Sequence, residues 1–274
     1  MNRSIVTAMS GRVLPIVLAA MVAGVGCTVV QQPPSTPPPS QSPPSPASTP
    51  TPQQSPPPAS TPTKPVPPTA TATLGYTPKL VPMKGQRGSA TFDVQLPQLD
   101  GGNAAARNRF NQGMQTALDD LINQFSDQRG GAQIVAGRLW PGDESSRVTG
   151  VTEHLVAGMA VFNWDSHGAH PNQELATVVI NTATARPITF ADVFPNQEVA
   201  RARLSELVPQ LDQTGRLRGQ PVQYEKFLNW LPTPDGLRVY VRVAHVIGDF
   251  APVTVPWDKI RDLVAPGELP ILTQ

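Results

Sequence analysis

The densest group of polar and titratable side chains lies in one short segment, residues 164–172. It contains Trp164, Asp165, His167, His170 and Asn172. A carboxylate, an amide and two imidazoles can bind a divalent cation or transfer a proton. The simplest interpretation is a turn shaped by a glycine and a proline and held by His170. The second interpretation is a surface that recognises a partner. A metal site is the third, because no further ligand residue lies nearby in the sequence.

Other features argue against nucleophilic catalysis. Cys27 is the only cysteine, and the sequence has no Gly-x-Ser-x-Gly turn, phosphate-binding loop or dinucleotide-binding fingerprint. We therefore predict no catalytic residue, no metal and no cofactor. The alternative is an envelope hydrolase or metal-dependent enzyme that uses Asp165, His167 and His170.

A second candidate binding surface lies on the predicted strand 237–244. Aliphatic residues alternate there with Arg238, Tyr240 and Arg242. This period of two predicts one buried face and one polar face. The polar face is either a binding surface or simply solvated, whereas Trp257 is predicted to lie in the core.

The N-terminal residues have the parts of an export signal. Arg3 and Arg12 precede an apolar run, residues 13–27, that ends at Cys27. The pattern resembles a bacterial lipobox, so residues 1–27 are predicted to be a lipoprotein signal peptide with Cys27 lipidated. An uncleaved membrane anchor and a plain secretory signal are the alternatives. All three export the rest of the chain.

Residues 28–72 are predicted to be a disordered linker. Residues 31–72 contain 17 of the 33 prolines, mixed with Ser, Thr, Gln and Ala, and no aromatic residue. Such a segment has too little apolar surface to offset the entropy lost on ordering. As an extended polyproline-like tether it would span at most about 130 Å, and it would hold a domain away from a membrane.

Residues 73–274 are long enough for one globular domain, with residues 73–130 as its N-terminal strand–helix part. This domain has a formal net charge of −2, which argues against a nucleic-acid partner. We predict an α+β fold, with a mixed, mainly antiparallel sheet packed against a long helix and two shorter helices.

The predicted elements follow from apolar periodicity and turn residues. Thr189 and Asp192 have capping-box spacing, Asn103 can cap the long helix, and Gly158 suggests a bulge. The predicted strands are 74–83, 90–96, 134–140, 148–164, 175–180, 227–231, 237–244 and 253–255, and the helices are 104–125, 198–211 and 257–264.

The second half resembles the RsiV-like domain of unknown function. The motifs are Gly168-Ala-His170-Pro, then Arg186-Pro-Ile-Thr-Phe-Ala-Asp-Val-Phe194 before an amphipathic helix, and finally Phe227, Thr233-Pro-Asp-Gly236-Leu and Val253-Thr-Val-Pro-Trp257. They cover residues 148–264, and the preceding strand–helix part resembles the companion domain of that family. Among relatives, the chain is most similar to the mycobacterial secreted immunogenic protein family.

This resemblance implies an exported envelope domain. In the anti-sigma factor RsiV, a similar domain binds lysozyme outside the cell, and other relatives carry a polysaccharide deacetylase. Only about twelve residues precede the apolar run here, too few for the sigma-binding segment of RsiV. The family's Pro-Tyr-Ala-x-Gly-like stretch is replaced by His245-Val-Ile-Gly-Asp-Phe250.

The sequence therefore predicts an actinobacterial lipoprotein with a non-catalytic binding domain. Its partners would be the membrane, through the lipid on Cys27, and a protein or peptidoglycan ligand. The domain would be extracytoplasmic, anchored to the cell membrane and reaching into the cell wall. A structural role without a small ligand is a third hypothesis.

Overall fold

The computed structural model describes residues 75–140, 142, 144–168, 170–219 and 229–274. Cys27, the predicted signal peptide and linker, and Phe227 of the family motif lie outside these ranges. Within the ranges, no helix is long and apolar enough to cross a membrane.

Nine strands and four α-helices make up the described fold. The strands are β1 (Tyr76–Arg87), β2 (Ala90–Gly101), β3 (Gln133–Ala136), β4 (Arg147–Val151), β5 (Leu155–Asp165), β6 (Asn172–Asn181), β7 (Asn229–Thr233), β8 (Gly236–Arg242) and β9 (Phe250–Pro256). The helices are α1 (Ala104–Ser126), α2 (Phe190–Val193), α3 (Gln197–Leu211) and α4 (Leu269–Leu272).

The strands form two sheets. In the six-stranded sheet, β1 pairs with β2, β2 with β3, and β5 with β3, β4 and β6. Among the described strand pairs only β2–β3 is parallel, and the separate three-stranded sheet β7–β8–β9 is antiparallel throughout. The α+β class with a mixed, mainly antiparallel sheet is confirmed, but the strands belong to two sheets where one was predicted.

Helix α1 lies against the six-stranded sheet as its periodicity predicts. Asn103 caps it by accepting hydrogen bonds from the amides of Ala105 and Ala106. Its apolar stripe is buried and includes Phe110, whose ring leaves no room for a side chain at Gly158, where a Cβ would lie 2.7 Å from Phe110 Cζ.

The predicted single strand 148–164 is wrong, because the chain reverses between β4 and β5. Thr152 Oγ1 accepts hydrogen bonds from the amides of His154 and Leu155 and closes the turn. The pairing irregularity lies between Val148 and Gly150 on β4, not at Gly158.

A second core lies around the three-stranded sheet and α3. Buried residues of α3 pack there with the predicted hairpin, which is confirmed as β7–β8. Trp257 is buried, as predicted, and its Nε1 donates to the Thr233 carbonyl at 2.9 Å. The predicted helix 257–264 is only a single 3₁₀ turn, Trp257–Lys259. The i→i−4 pattern does not continue, because the amide of Leu263 bonds three residues back to Ile260 and that of Ala265 bonds to Val193.

Candidate functional site

The segment 164–172 connects β5 and β6, and its side chains take separate roles. Asp165 Oδ1 accepts a hydrogen bond from the Gly168 amide at 3.2 Å. His167 has a φ of 65°, and its Nε2 donates to the Gly130 carbonyl at 3.0 Å. Asp165 and His167 therefore shape and tie down the turn. The simplest interpretation assigned the tie to His170, but the hydrogen bond that holds the turn comes from His167.

Trp164 and Asn172 lie in the strand pair that carries this turn. Their backbones are partners in the β5–β6 ladder. The Trp164 ring packs 4.6 Å from the Phe125 ring at the end of α1. Trp164 is thus partly buried and packs against the core beneath the turn.

His170 points to a different neighbour from His167. Its ring centroid lies 6.0 Å from that of His245, near the start of the β8–β9 connection. Among the described residues, no group of three or more His, Cys, Asp or Glu side chains is arranged to hold a metal ion. Asp165, His167 and His170 are close in sequence without sharing a centre.

A cleft of about 530 Å³ opens where His170 meets His245. We call it the Trp140 cleft. Its described walls come from the segment after β3, the end of β5, the turn into β6 with the start of that strand, and the β8–β9 connection. The lining residues are Trp140, Asn163, His170, Pro171, Gln173, His245, Val246, Gly248 and Asp249.

Trp140 is the most unusual residue of the cleft because it is a large aromatic residue and is 59% exposed. Its backbone amide donates to Gln173 Oε1 at 3.3 Å, and its carbonyl accepts from Arg216 at 3.1 Å. Gly248 has a φ of +87°, and a Cβ there would lie 2.3 Å from the Trp140 carbonyl oxygen and 2.8 Å from Cε3 of its ring. Trp140 is exposed but held in place.

Gln173 joins this tryptophan to the rest of the cleft. Its side-chain amide donates to Asn163 Oδ1 at 3.1 Å and to the Arg138 carbonyl. Its backbone amide donates to Asp249 Oδ2 at 2.8 Å. A buried polar side chain whose donors and acceptor are all used fixes the groups around it.

Asp249 and His245 form a hydrogen-bonded pair across a short turn. His245 Nδ1 lies 3.1 Å from both carboxylate oxygens, and Asp249 is buried. A carboxylate accepts hydrogen bonds when ionised, so Nδ1 carries the donated proton. In the neutral ring the other nitrogen, Nε2, is then a hydrogen-bond acceptor.

Arg216 lies outside the lining of the cleft and connects two of its walls. One of its terminal nitrogens donates to the carbonyls of Trp140, Gly248 and Phe250. Burial lowers the pKa of Arg216, and the nearby Asp212 carboxylate opposes that shift. This guanidinium serves the backbone of the cleft and is not one of its lining groups.

The second predicted surface is largely internal. Tyr240 is 1% exposed, and its hydroxyl donates to Glu144 Oε2 at 2.7 Å and contacts Met159 of β5. Arg238 forms an ion pair with the same carboxylate. The prediction that Tyr240 lies on a solvated face is wrong, because this face of β8 packs on the first sheet and Glu144 satisfies its polar groups.

Arg242, at the end of β8, is the more accessible member of the predicted set. It holds Glu174 through two hydrogen bonds of 2.7 and 2.8 Å, and its side chain is 50% exposed. It also lies over the Phe250 ring at 4.7 Å. Arg238, Tyr240 and Arg242 thus connect the two sheets and do not form a single open surface.

The environment of Glu144 keeps its carboxylate ionised. Burial acts to raise its pKa, but Arg238, the Tyr240 hydroxyl and Arg147 outweigh it, and the net pKa is lowered. The same burial, reinforced by the Glu144 charge, raises the pKa of Tyr240. Both shifts favour an ionised Glu144 that accepts from a neutral Tyr240.

Sequence reasoning found His170 but missed the residues that it faces. His245 and Asp249 are four apart in the segment that departs from the family pattern, which was the available signal. Trp140 was assigned to a predicted strand, and alternation along a strand gives no sign that a large ring will be exposed.

The chain was also compared with known proteins. No family model and no curated protein matches it. Two solved structures have a similar fold. Both are DUF3298 proteins. The one from Bacteroides fragilis NCTC 9343 has 11% identity and a TM-score of 0.49, and the match covers 73% of this chain and 98% of that one. The one from Pseudomonas aeruginosa PAO1 has 15% identity and a TM-score of 0.48, with 71% and 95% covered. The similarity is limited to coarse fold.

Proposed function

We propose that this chain is an exported, lipid-anchored cell-envelope protein whose globular domain binds a ligand in the Trp140 cleft without catalysing a reaction. The observation that carries the proposal is Trp140, which is 59% exposed although its backbone is held at both the amide and the carbonyl.

An exposed tryptophan that is held rigidly favours recognition. Leaving so much apolar surface in water costs free energy that folding alone does not recover. Ordering the backbone that carries the ring before a ligand arrives lowers the entropy cost of binding. Tryptophan is also the type of residue that most often dominates binding energy.

The lining of the cleft supports binding over covalent chemistry. Its described residues provide imidazole, amide and buried carboxylate groups, but no Ser, Thr, Cys or Lys side chain. Buried groups hold the His245 ring and the Trp140 backbone, as in binding sites with a few well-placed polar groups.

Export and anchoring rest on the N-terminal sequence. Cys27 follows an apolar run with basic residues upstream, and the proline-rich segment behind it would give the domain reach. The motif order of residues 148–264 supports placing the domain with the RsiV-like and mycobacterial secreted immunogenic protein families, whose members act outside the cytoplasm.

The proposal is tested with the full chain in detergent solution, using purified peptidoglycan in a sedimentation assay and lysozyme in a pull-down. We expect one of them to retain the chain, Trp140→Ala to abolish retention, and Leu80→Ala to leave it unchanged. Leu80 is a matched control because it is an exposed apolar side chain, 49% exposed, on the remote strand β1. Unchanged binding by Trp140→Ala would overturn the proposal. So would a failure of both peptidoglycan and lysozyme to retain the chain.

An envelope hydrolase is the second candidate, and the observation that favours it is the His245–Asp249 pair. A carboxylate that accepts from Nδ1 leaves Nε2 able to take a proton from water. Release of soluble fragments from labelled peptidoglycan, lost in His245→Ala, would support this candidate. No release, or release that survives the substitution, would reject it.

A further inference from the structure

We propose that the Trp140 cleft binds the sugar rings of a glycan chain, with one ring stacked on Trp140 and its hydroxyl groups hydrogen-bonded by His245 and His170. This inference rests on the proposed binding function and names the ligand class.

The size of the cleft fits a small ligand or a chain of a few rings. Its volume of about 530 Å³ lies within the range of pockets that enclose small molecules. A stable protein interface buries about 800 Å² per partner around an apolar core. The large exposed apolar side chains at this cleft are Trp140 and Val246, whereas the others in the described residues, Leu80 and Val199, lie on β1 and α3.

The charge of the cleft points to a neutral ligand. No Lys or Arg side chain is among its described lining residues, so it lacks the cations that hold a phosphate or carboxylate. Its one carboxylate, Asp249, is buried and already accepts from His245 and the Gln173 amide. Nothing in this set favours a cationic ligand either.

The polar groups suit hydroxyl groups. Because Asp249 takes the Nδ1 proton of His245, Nε2 of the neutral ring can accept from a hydroxyl donor. His170 supplies a second imidazole, with its ring centroid 6.0 Å away. A sugar presents several adjacent hydroxyls, each both donor and acceptor, and can use both rings at once.

The aromatic and aliphatic side chains of the cleft suit the C–H face of a sugar ring. A pyranose ring has a face of C–H groups, which carry partial positive charge and match the electron-rich face of an indole. Gly248 lies close to the Trp140 ring and carbonyl, and Arg216 holds the same carbonyl, so the residue that carries the indole is already positioned. Val246, 81% exposed, offers an apolar contact for a substituent such as an acetyl methyl group.

The test is an NMR titration of the full chain in detergent micelles, labelled with ¹⁵N at tryptophan, with chitotetraose as the probe. Each of the four tryptophans gives one indole N–H signal, and loss of a signal in Trp140→Phe assigns Trp140. We expect chitotetraose to shift the Trp140 signal while the other three move little. His245→Ala should weaken binding about 3- to 10-fold, the loss expected for one hydrogen bond, and Leu80→Ala should bind as the unsubstituted chain does.

The outcomes separate this inference from the function on which it rests. A Trp140 signal that does not respond up to about 1 mM sugar, with Trp140-dependent lysozyme binding retained, overturns the glycan and leaves the binding function. Equal shifts at all four indoles, or binding by Trp140→Ala as tight as that of the unsubstituted chain, also overturn it. If neither sugar, wall nor lysozyme binds, both proposals fail. Trp140→Phe, which keeps a smaller aromatic face, should retain part of the affinity.

Discussion

Glu144 connects the two sheets, and replacing it with glutamine should cost stability in a pH-dependent way. Its side chain is 16% exposed, and its partner Arg238 is 29% exposed. Tyr240 and Arg147 also donate to the carboxylate, at 2.7 and 3.1 Å. Glutamine keeps the shape and can still accept from Tyr240, but it leaves the arginines without their counter-charge.

The magnitude follows from how far the cluster is buried. Removing one partner of a fully buried pair costs about 3–5 kcal/mol, and an exposed pair is worth about 0.2–1 kcal/mol. The cluster lies between these limits but closer to the buried one. We expect Glu144→Gln to lower the free energy of unfolding at pH 7 by about 2–3 kcal/mol, or the melting temperature by about 5–10 °C.

The pH dependence has a definite sign. The folded-state pKa of Glu144 is lowered from its ordinary value of 4.5. Its contribution to stability is therefore complete above pH 4.5 and is lost as the pH falls through the lowered pKa. The stability difference between the unsubstituted chain and Glu144→Gln should shrink as the pH is lowered below 4.5.

Urea unfolding of the full chain at a series of pH values from 7 to 3 measures this difference. The control is Glu174→Gln, which breaks the Arg242 pair, whose side chains are 34% and 50% exposed. This control should cost less than about 1 kcal/mol. Equal effects of the two substitutions at pH 7, or a Glu144→Gln effect that does not change with pH, would refute the reasoning.

Three further substitutions test other parts of the account. Gly158→Ala places a Cβ 2.7 Å from the Phe110 ring and should reduce the free energy of unfolding in urea by about 1–3 kcal/mol. Gly248→Ala must move Trp140, because the new Cβ would lie 2.3 Å from its carbonyl oxygen; ligand affinity should fall and the tryptophan fluorescence spectrum should change. Cys27→Ala should release the chain from the membrane fraction, as measured by blotting.

Each of these has a result that would count against it. Gly267 has no atom within 4 Å of a Cβ position, so Gly267→Ala is a neutral control for both glycine substitutions. A Gly158→Ala chain as stable as that control would mean that Phe110 adjusts freely. Unchanged fluorescence in Gly248→Ala would contradict the fixed position of Trp140. Membrane retention of Cys27→Ala would favour an uncleaved anchor over a lipid.

Local signals predicted much of the fold. Asn103 and Thr189 cap their helices as predicted, because a capping side chain bonds to amides two or three residues away. The turn before Gly236 forms the predicted hairpin. Helix caps and tight turns are formed by residues that are neighbours in sequence, and only a few residue types form them.

The features of the fold and the cleft that the sequence does not predict depend on contacts between residues that are far apart in sequence. Alternation on β8 predicts its buried aliphatic face, but it does not predict the burial of Tyr240, whose partner Glu144 is 96 positions away. Likewise His170 faces His245 across the cleft, not the nearby His167. Sequence spacing cannot show that the six-stranded sheet covers this face of β8, so alternation alone predicts an accessible Tyr240.

The central claim is that Trp140 dominates ligand binding in the cleft, and the affinity of Trp140→Ala for purified peptidoglycan tests it most directly. A binding hot spot contributes at least about 2 kcal/mol, or roughly 30-fold in Kd. The account predicts a loss of that size in Trp140→Ala and none in Leu80→Ala. Equal affinities of the two variants would contradict it.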